Sequence, residues 1–400
     1  MRICFFTTDC VLPTKGGIEK VVYNLSKTFQ EKGLSVIIIS TTDSNGLEYP
    51  FDFQYSLPMS SDILHKDNIA FVDDLIQKYP IDIIINASHQ TEVFKLCKLF
   101  KDKYSFKLIS TLYCTPDALL KGLIDKYAHV RLSSISRLKK WIHILAIFIL
   151  MPYRKYLRKK WIRNKYRYQL DNSDAFILES ERYKSLFLDL VKSESPEKLY
   201  CIPNPLSTFS TEKHVANKTK TVLFVARMLI DQKRPDRMID VWKKIYRKFP
   251  DWNLLMIGDG DDKERIIEYS KKRNVDNICF IGNTTLDDYY RKAEILCLTS
   301  TFEGFGLVLT EALQNGVIPI AFDSYNAVRD IIDDGMTGML VKPFSIKGYA
   351  DKLSILMSDA HLRNTMRGKI RNNKLSSFSE DKVYSSWITL FDNLLSNNTL

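Results

Sequence analysis

No two of the seven cysteines, at positions 4, 10, 97, 114, 201, 279 and 297, form a C-x-x-C pair, and none has a histidine at metal-binding spacing. Scattered cysteines of this kind read as reduced, mostly buried thiols, which argues against a disulfide framework or a zinc-built fold. The first residues, MRICFFTTD, read as a strand and lack the apolar core and small-residue cleavage site of a secretory signal, so the chain is expected in the cytoplasm. A bilayer-crossing run is missing too. The uncharged stretch WIHILAIFILMPY has only 13 residues, against the roughly 20 that a spanning helix needs.

Acidic residues are absent from one long region. Between Arg131 and Arg167 there are twelve Lys and Arg and no Asp or Glu, so with a net charge of +11 the rest of the chain sums to 11 − 12 = −1. Within it, Tyr153, Tyr156, Leu157, Trp161 and Tyr168 recur at helical spacing among the basic residues. The pattern suits a helix pair lying on an anionic membrane face. A core helix with a solvated basic flank and a nucleic-acid arm are the alternatives; the interleaved aromatic anchors favour the membrane, and no nucleic-acid partner is expected.

At 400 residues with 45% apolar content, the chain exceeds the roughly 250 to 300 residues that one core serves, so two domains are expected. Short apolar runs alternate with amphipathic stretches twice over. RICFFTT, SVIIIS, IDIIIN, KLISTL, AFILES and LYCIP occupy the first half, with helices such as 18–32 and 68–79 between them; TVLFVAR, WNLLMIG, ICFIG, EILCLTS, VIPIAF and GMLVKP occupy the second. This predicts an α/β protein of two facing doubly wound parallel sheets. The seam falls in the polar, Pro-containing stretch 203–220. Ligands of such sheets bind beyond the carboxyl ends of the strands, here in the cleft between domains.

The informative residues fall at those strand ends. Gly16 and Gly17 open a helix after the first strand, as a nest for a phosphate or hydroxyl, although Gly-Gly before a helix often only makes the turn. Arg227 ends a strand and Lys233 precedes a helix starting near Pro235, a pairing that suits a diphosphate but also fits two solvated cations. In STFEGFGLVLTEAL, Glu303 stands before a glycine turn and Glu311 lies eight positions on. The turn at a helix N-terminus can grip hydroxyls or anions, yet Glu303 could merely cap the helix and Glu311 face water. DGD at 259–261 spells D-x-D but follows a strand as a turn, and no metal is expected there.

Taken together, GGIE, VAR with QKRP, IGDGDDKERI, ICFIGN, TFEGFGLVLTEAL and GMTGMLVKP resemble the family-4 group of retaining glycosyltransferases, over nearly the whole chain and most strongly from Thr221 to Pro343. The resemblance implies the GT-B fold. It implies residues 1–205 as an N-terminal acceptor-binding Rossmann-like domain, within which the basic aromatic segment at 131–168 is expected to dock on the membrane, residues 206–380 as a nucleotide-sugar-binding domain, and 381–400 as a helix packing back on the first. It further implies Glu303, Arg227 and Lys233 as the catalytic set. Glu303 would bind donor hydroxyls, N–H groups around Gly304, Phe305, Gly306 and Leu307 would hold sugar or phosphate oxygens, and Glu311 would take the ribose. Arg227 and Lys233 would hold the diphosphate, with Gly17 approaching it. No cofactor is implied, and the chemistry agrees: fixed cations lower the barrier where the leaving group gains charge.

This chain departs from the family where a His commonly ends the strand KLISTL: it has Tyr113, a phenol that donates a hydrogen bond but carries no positive charge. On the acceptor or sugar side, Gly16, Tyr113 and His89 are the candidates. A second departure is SYNAVRD at 324–330, where many members have Gly-Gly and Glu. The expectation is a metal-independent transferase on the inner membrane face, moving a hexose or N-acetylhexosamine from a nucleotide diphosphate sugar to a lipid-linked glycan in surface polysaccharide assembly. A nucleotide-sugar epimerase of the same fold and a non-catalytic nucleotide-sugar-binding or membrane-docking module are the rival readings.

Overall fold

A computed structural model describes residues 1–12, 16–123, 137–193, 196–206, 218–370 and 375–396. The chain divides into two compact units. Unit 1 comprises Met1–Cys114, Trp161–Pro205 and Phe378–Leu400; unit 2 comprises Thr115–Lys160 and Leu206–Ser377.

Unit 1 is built on seven strands, β1 (Arg2–Thr7), β2 (Ser35–Ser40), β3 (Gln54–Ser56), β4 (Ile83–Asn86), β5 (Lys107–Leu112), β6 (Ala175–Leu178) and β7 (Leu199–Cys201). They pair in parallel in the order β3-β2-β1-β4-β5-β6-β7. Cys4, Phe5 and Phe6 of β1 and Ile83, Ile84 and Ile85 of β4 are all buried, as expected where helices cover both faces of a parallel sheet. The sequence pattern yields six of these strands and misses β3, a short polar edge strand. Helix Ile18–Glu31 buries Val21, Val22, Leu25 and Phe29, and the final helix, Glu380–Ser396, lays Trp387 and Phe391 against Phe29 at ring-centroid distances of 6.3 and 5.8 Å.

The basic region differs from the expected helix pair. It is one helix, Arg137–Asn172, of 36 residues running through Pro152, or about 54 Å at 1.5 Å per residue. Its carboxyl end is packed into unit 1: Ile162, Tyr166 and Leu170 are buried, Tyr166 stacks on Phe187 at 5.7 Å, and Arg163 donates to the Leu190 carbonyl at 3.3 Å. The large apolar side chains of its first half, Trp141, Leu145, Phe148 and Ile149 among them, are exposed, so the core-helix alternative does not hold there. Residues 131–136 of the expected docking segment lie outside the described residues.

Unit 2 has six parallel strands, β8 (Thr221–Val225), β9 (Asn253–Ile257), β10 (Ile278–Ile281), β11 (Ile295–Leu298), β12 (Ile318–Phe322) and β13 (Met339–Val341), in the order β10-β9-β8-β11-β12-β13. All six coincide with apolar runs read from sequence. Residues 115–160, assigned by sequence to the first domain, group with unit 2 instead. At the start of this stretch the Thr115 N–H donates to the Glu303 carbonyl at 3.3 Å, and the Lys121 ammonium donates to the Ser324 carbonyl at 3.0 Å.

Candidate active site

In each sheet the strand order reverses beside the first strand, and loops diverge there to leave a crevice at the carboxyl ends. In unit 2 the reversal lies between β8 and β11. The loop after β8 carries Arg227 and Lys233, and the loop after β11 carries Glu303. In unit 1 it lies between β1 and β4, whose following loops carry Gly16 and Gly17 on one side and His89 on the other. Thr8 and Ser88 join these two loops, hydroxyl to hydroxyl, at 2.8 Å.

The unit 2 crevice is tightly organised. Glu303, only 5% exposed, accepts from the Lys233 ammonium at both carboxylate oxygens, at 2.8 and 2.7 Å. The Ser300 hydroxyl donates to Oε1 at 2.6 Å. Gln232 Nε2 donates to the Phe302 carbonyl at 3.3 Å and reaches Glu303 Oε2 at 3.5 Å. The Thr301 N–H donates to the Gln232 carbonyl at 2.8 Å, and Arg237 braces the same loop through the Thr299 carbonyl and Thr301 hydroxyl at 3.2 and 3.0 Å. A fixed, largely desolvated charge pair results, held by groups on two adjacent strand ends.

Arg227 is exposed and makes no ion pair among the described residues. Its loop is set by glycine. A Cβ at Gly258 would lie 2.1 Å from the Ala226 carbonyl oxygen, and one at Gly260 would lie 2.9 Å from the Met228 N and O. That close approach lets the Met228 N–H donate to the Asp259 carbonyl at 2.8 Å and the Ile230 N–H to the Asp262 carboxylate at 2.9 Å. The D-x-D acid Asp259 is engaged by Lys263 at 2.9 Å, which holds its carboxyl below the usual range.

Helix Leu307–Gln314 starts from Gly306 at φ 92°, with no side chain capping it. Glu303 is therefore not the cap. Tyr325 closes over the turn: its hydroxyl donates to the Phe305 carbonyl at 3.3 Å, and a Cβ on Gly306 would come within 2.6 Å of it. Phe305 is buried, while Gly304, Gly306 and Leu307 are partly exposed. Glu311 does not face water either. It is 2% exposed and accepts from the Tyr290 hydroxyl at 2.9 Å; burial, followed by the Glu311 charge, pushes the Tyr290 phenol well above its ordinary pKa.

In unit 1, Gly17 begins helix Ile18–Glu31 at φ 75°, and Gly16 and Gly17 are both exposed. His89 is exposed, and its carbonyl accepts from the Lys165 ammonium at 2.5 Å. Tyr113 behaves otherwise. Its hydroxyl is sealed from solvent and finds no hydrogen-bond partner, while the Thr111 hydroxyl donates to the Asn86 carbonyl at 3.0 Å. It lines a small enclosed space with Glu179, Asn204 and Trp387, and burial raises its phenol pKa. Sequence reasoning missed Ser300, Gln232, Tyr290 and the Tyr325 contact. The i, i+3 spacing of Ser300 and Glu303 is the one local signal that could have suggested any of them.

Residues 15–208 match Glycosyltransferase Family 4 and residues 207–373 match Glycosyl transferases group 1. The chain belongs to this family of glycosyltransferases and has its GT-B fold. An uncharacterized glycosyltransferase of Haemophilus influenzae is 25% identical over 389 residues, covering 96% of this chain and 98% of that one. The amylovoran biosynthesis glycosyltransferase AmsD of Erwinia amylovora is 28% identical over 207 residues, 50% of this chain and 57% of its own length. Among solved structures, a point mutant of S. aureus TarM, in complex with fondaparinux, alpha-GlcNAc-glycerol and UDP, superposes with a TM-score of 0.74 at 15% identity, covering 98% of this chain and 99% of that one. The protein is thus a glycosyltransferase.

Proposed function

We propose that this glycosyltransferase moves a hexose or N-acetylhexosamine from a nucleotide diphosphate sugar to a lipid-linked glycan, with retention of anomeric configuration and without a metal. The observation that carries the reading is the buried Lys233–Glu303 pair at the unit 2 switch point, 2.7 Å apart, beside the exposed Arg227. A donor entering there exchanges partners: its sugar hydroxyls donate to Glu303, and Lys233 turns with Arg227 to the diphosphate. The sugar–diphosphate bond breaks, the acceptor hydroxyl bonds to the anomeric carbon, and its proton leaves with the nucleoside diphosphate. Two cations meet the charge that develops on the leaving group, the task a metal performs in other sites. Glu311, one helical turn into the helix behind the glycine turn, is the ribose acceptor.

Retention is supported by the family resemblance, and the nucleotide by the UDP in the TarM complex. Gly16 and His89, at the unit 1 switch point, serve the acceptor. A lipid-linked acceptor, and with it a station on the inner membrane face, is supported by the exposed apolar turns of the long helix. The test is a thermal-shift screen of nucleotide sugars, then nucleoside diphosphate release with the binding donor and a lipid extract, with and without chelator, and NMR of the product's anomeric configuration. A donor that is isomerised without glycan growth, or an inverted product, overturns the proposal.

A further inference from the structure

The first half of the long helix exposes a set of large apolar side chains. Trp141 is 70% exposed, Leu145 61%, Phe148 59%, Ile149 66% and Tyr153 63%. At 100° per residue, these five together with Ile142 and Tyr156 fall within an arc of about 140°. On the opposite side, Lys139, His143, Arg154 and Arg158 fall within about 100° of one another, interspersed with the less exposed Leu150 and Leu157. Further along, the apolar face changes character and presents Lys159 and Lys160. Beyond that, the helix is locked into unit 1 through Ile162, Tyr166 and Leu170.

An apolar face of this size needs an occupant. A second copy of the helix is disfavoured by charge: residues 131–167 carry twelve basic groups and no acid, so two copies would bring like charges together. No described helix is long and apolar enough to cross a membrane, and the 13 uncharged residues from Trp141 to Tyr153 extend about 20 Å against a hydrocarbon core of about 30 Å. We propose that residues 138–156 of the long helix lie in the plane of an anionic membrane with the Trp141–Phe148–Ile149 face sunk into one leaflet, while Lys159 and Lys160 engage the lipid phosphates. Trp161, grouped by sequence with the membrane anchors, projects from the opposite side, where the Lys165 ammonium sits 5.3 Å from its ring centroid. The proposal goes beyond the transfer reading and does not depend on its chemistry.

The two exposed tryptophans make it testable, because Trp242, Trp252 and Trp387 are buried. Trp161→Phe leaves Trp141 as the exposed reporter, and Trp141→Phe leaves Trp161. With vesicles containing about 30% phosphatidylglycerol, Trp141 should shift to the blue and be quenched by acyl-brominated lipid, while Trp161 should not. Each basic residue at the surface contributes about fivefold in binding, so even two should tighten partitioning about 25-fold over neutral phosphatidylcholine. Roughly 1 M salt should remove that preference and leave residual binding, since the apolar contact is not screened. Leu145→Glu with Phe148→Glu should abolish vesicle binding and leave the melting temperature and donor binding unchanged, because both side chains are largely exposed, far along the helix from its packed end. Equal quenching of both tryptophans, binding indifferent to anionic lipid, or a concentration-dependent blue shift without vesicles would overturn the proposal, the last by identifying a second copy as the occupant. Loss of donor turnover with vesicle binding intact would instead refute the transfer reading alone.

Discussion

Neutralising either end of the Lys233–Glu303 pair should damage stability and catalysis together, and a double-mutant cycle separates them. Lys233→Met leaves a carboxylate that is 5% exposed and keeps Ser300 and Gln232 but loses its ammonium; Glu303→Gln leaves an ammonium whose side chain is 19% exposed. Removing one partner of a buried pair costs about 3 to 5 kcal/mol, and the residual exposure of Lys233 points to the lower figure. At about 2 to 4 °C per kcal/mol for a unit of this size, each single change should lower the apparent melting temperature by roughly 6 to 12 °C. The double variant, with neither member of the pair left without the other, should recover most of that loss. Its turnover should not recover, because the donor then lacks both the leaving-group cation and the hydroxyl acceptor; it should stay about 100- to 1000-fold below the parent. The assays are thermal denaturation and nucleoside diphosphate release on the same four proteins. Turnover that returns with stability would refute the reasoning and make the pair a structural tie.

Four further outcomes are expected. Gly306→Ala should destabilise by about 2 to 5 kcal/mol, from a left-handed backbone and a collision with the Tyr325 hydroxyl, and Tyr325→Phe should rescue part of it; strict additivity in a melting-temperature cycle would show that the contact is not felt. Tyr113→Phe should be neutral or stabilise by about 1 to 2 kcal/mol, since it deletes a buried hydroxyl without a partner; a large activity loss in the folded variant would mean that the phenol turns toward substrate. Arg227→Ala should slow turnover about 100- to 1000-fold with the fold intact, and Gly258→Ala should produce the same defect by displacing the Ala226–Met228 backbone. Glu311→Gln should raise the apparent donor dissociation constant and leave turnover at saturating donor largely intact, as a group remote from the bond being broken would.

Much of this protein was legible in the chain itself. All six strands of unit 2 are apolar runs bounded by turn residues, and a run of this kind reports burial on both faces whatever its neighbours are. The same is true of the glycine turn before the 307–313 apolar stretch, and of the missing acids between 131 and 167. Local pattern reports whether a residue is buried, bent or charged; it does not report what it meets. Glu303 and Lys233 are 70 positions apart, and only strand order, with β8 beside β11, turns two separate expectations into one ion pair. Whether Glu303 capped a helix depended on Gly306 doing so unaided, and whether Glu311 faced water depended on Tyr290, from a different helix. The β3 edge strand, short and polar, exists because β2 offers it a partner. The basic region was expected to form a helix pair, yet a single helix runs through Pro152 to a carboxyl end anchored by Ile162, Tyr166 and Leu170. Tyr113 follows its strand where the family pattern puts a His, but its hydroxyl is buried beside Glu179 and Asn204, because a side chain's direction is chosen by the packing around it and not by its place in the sequence.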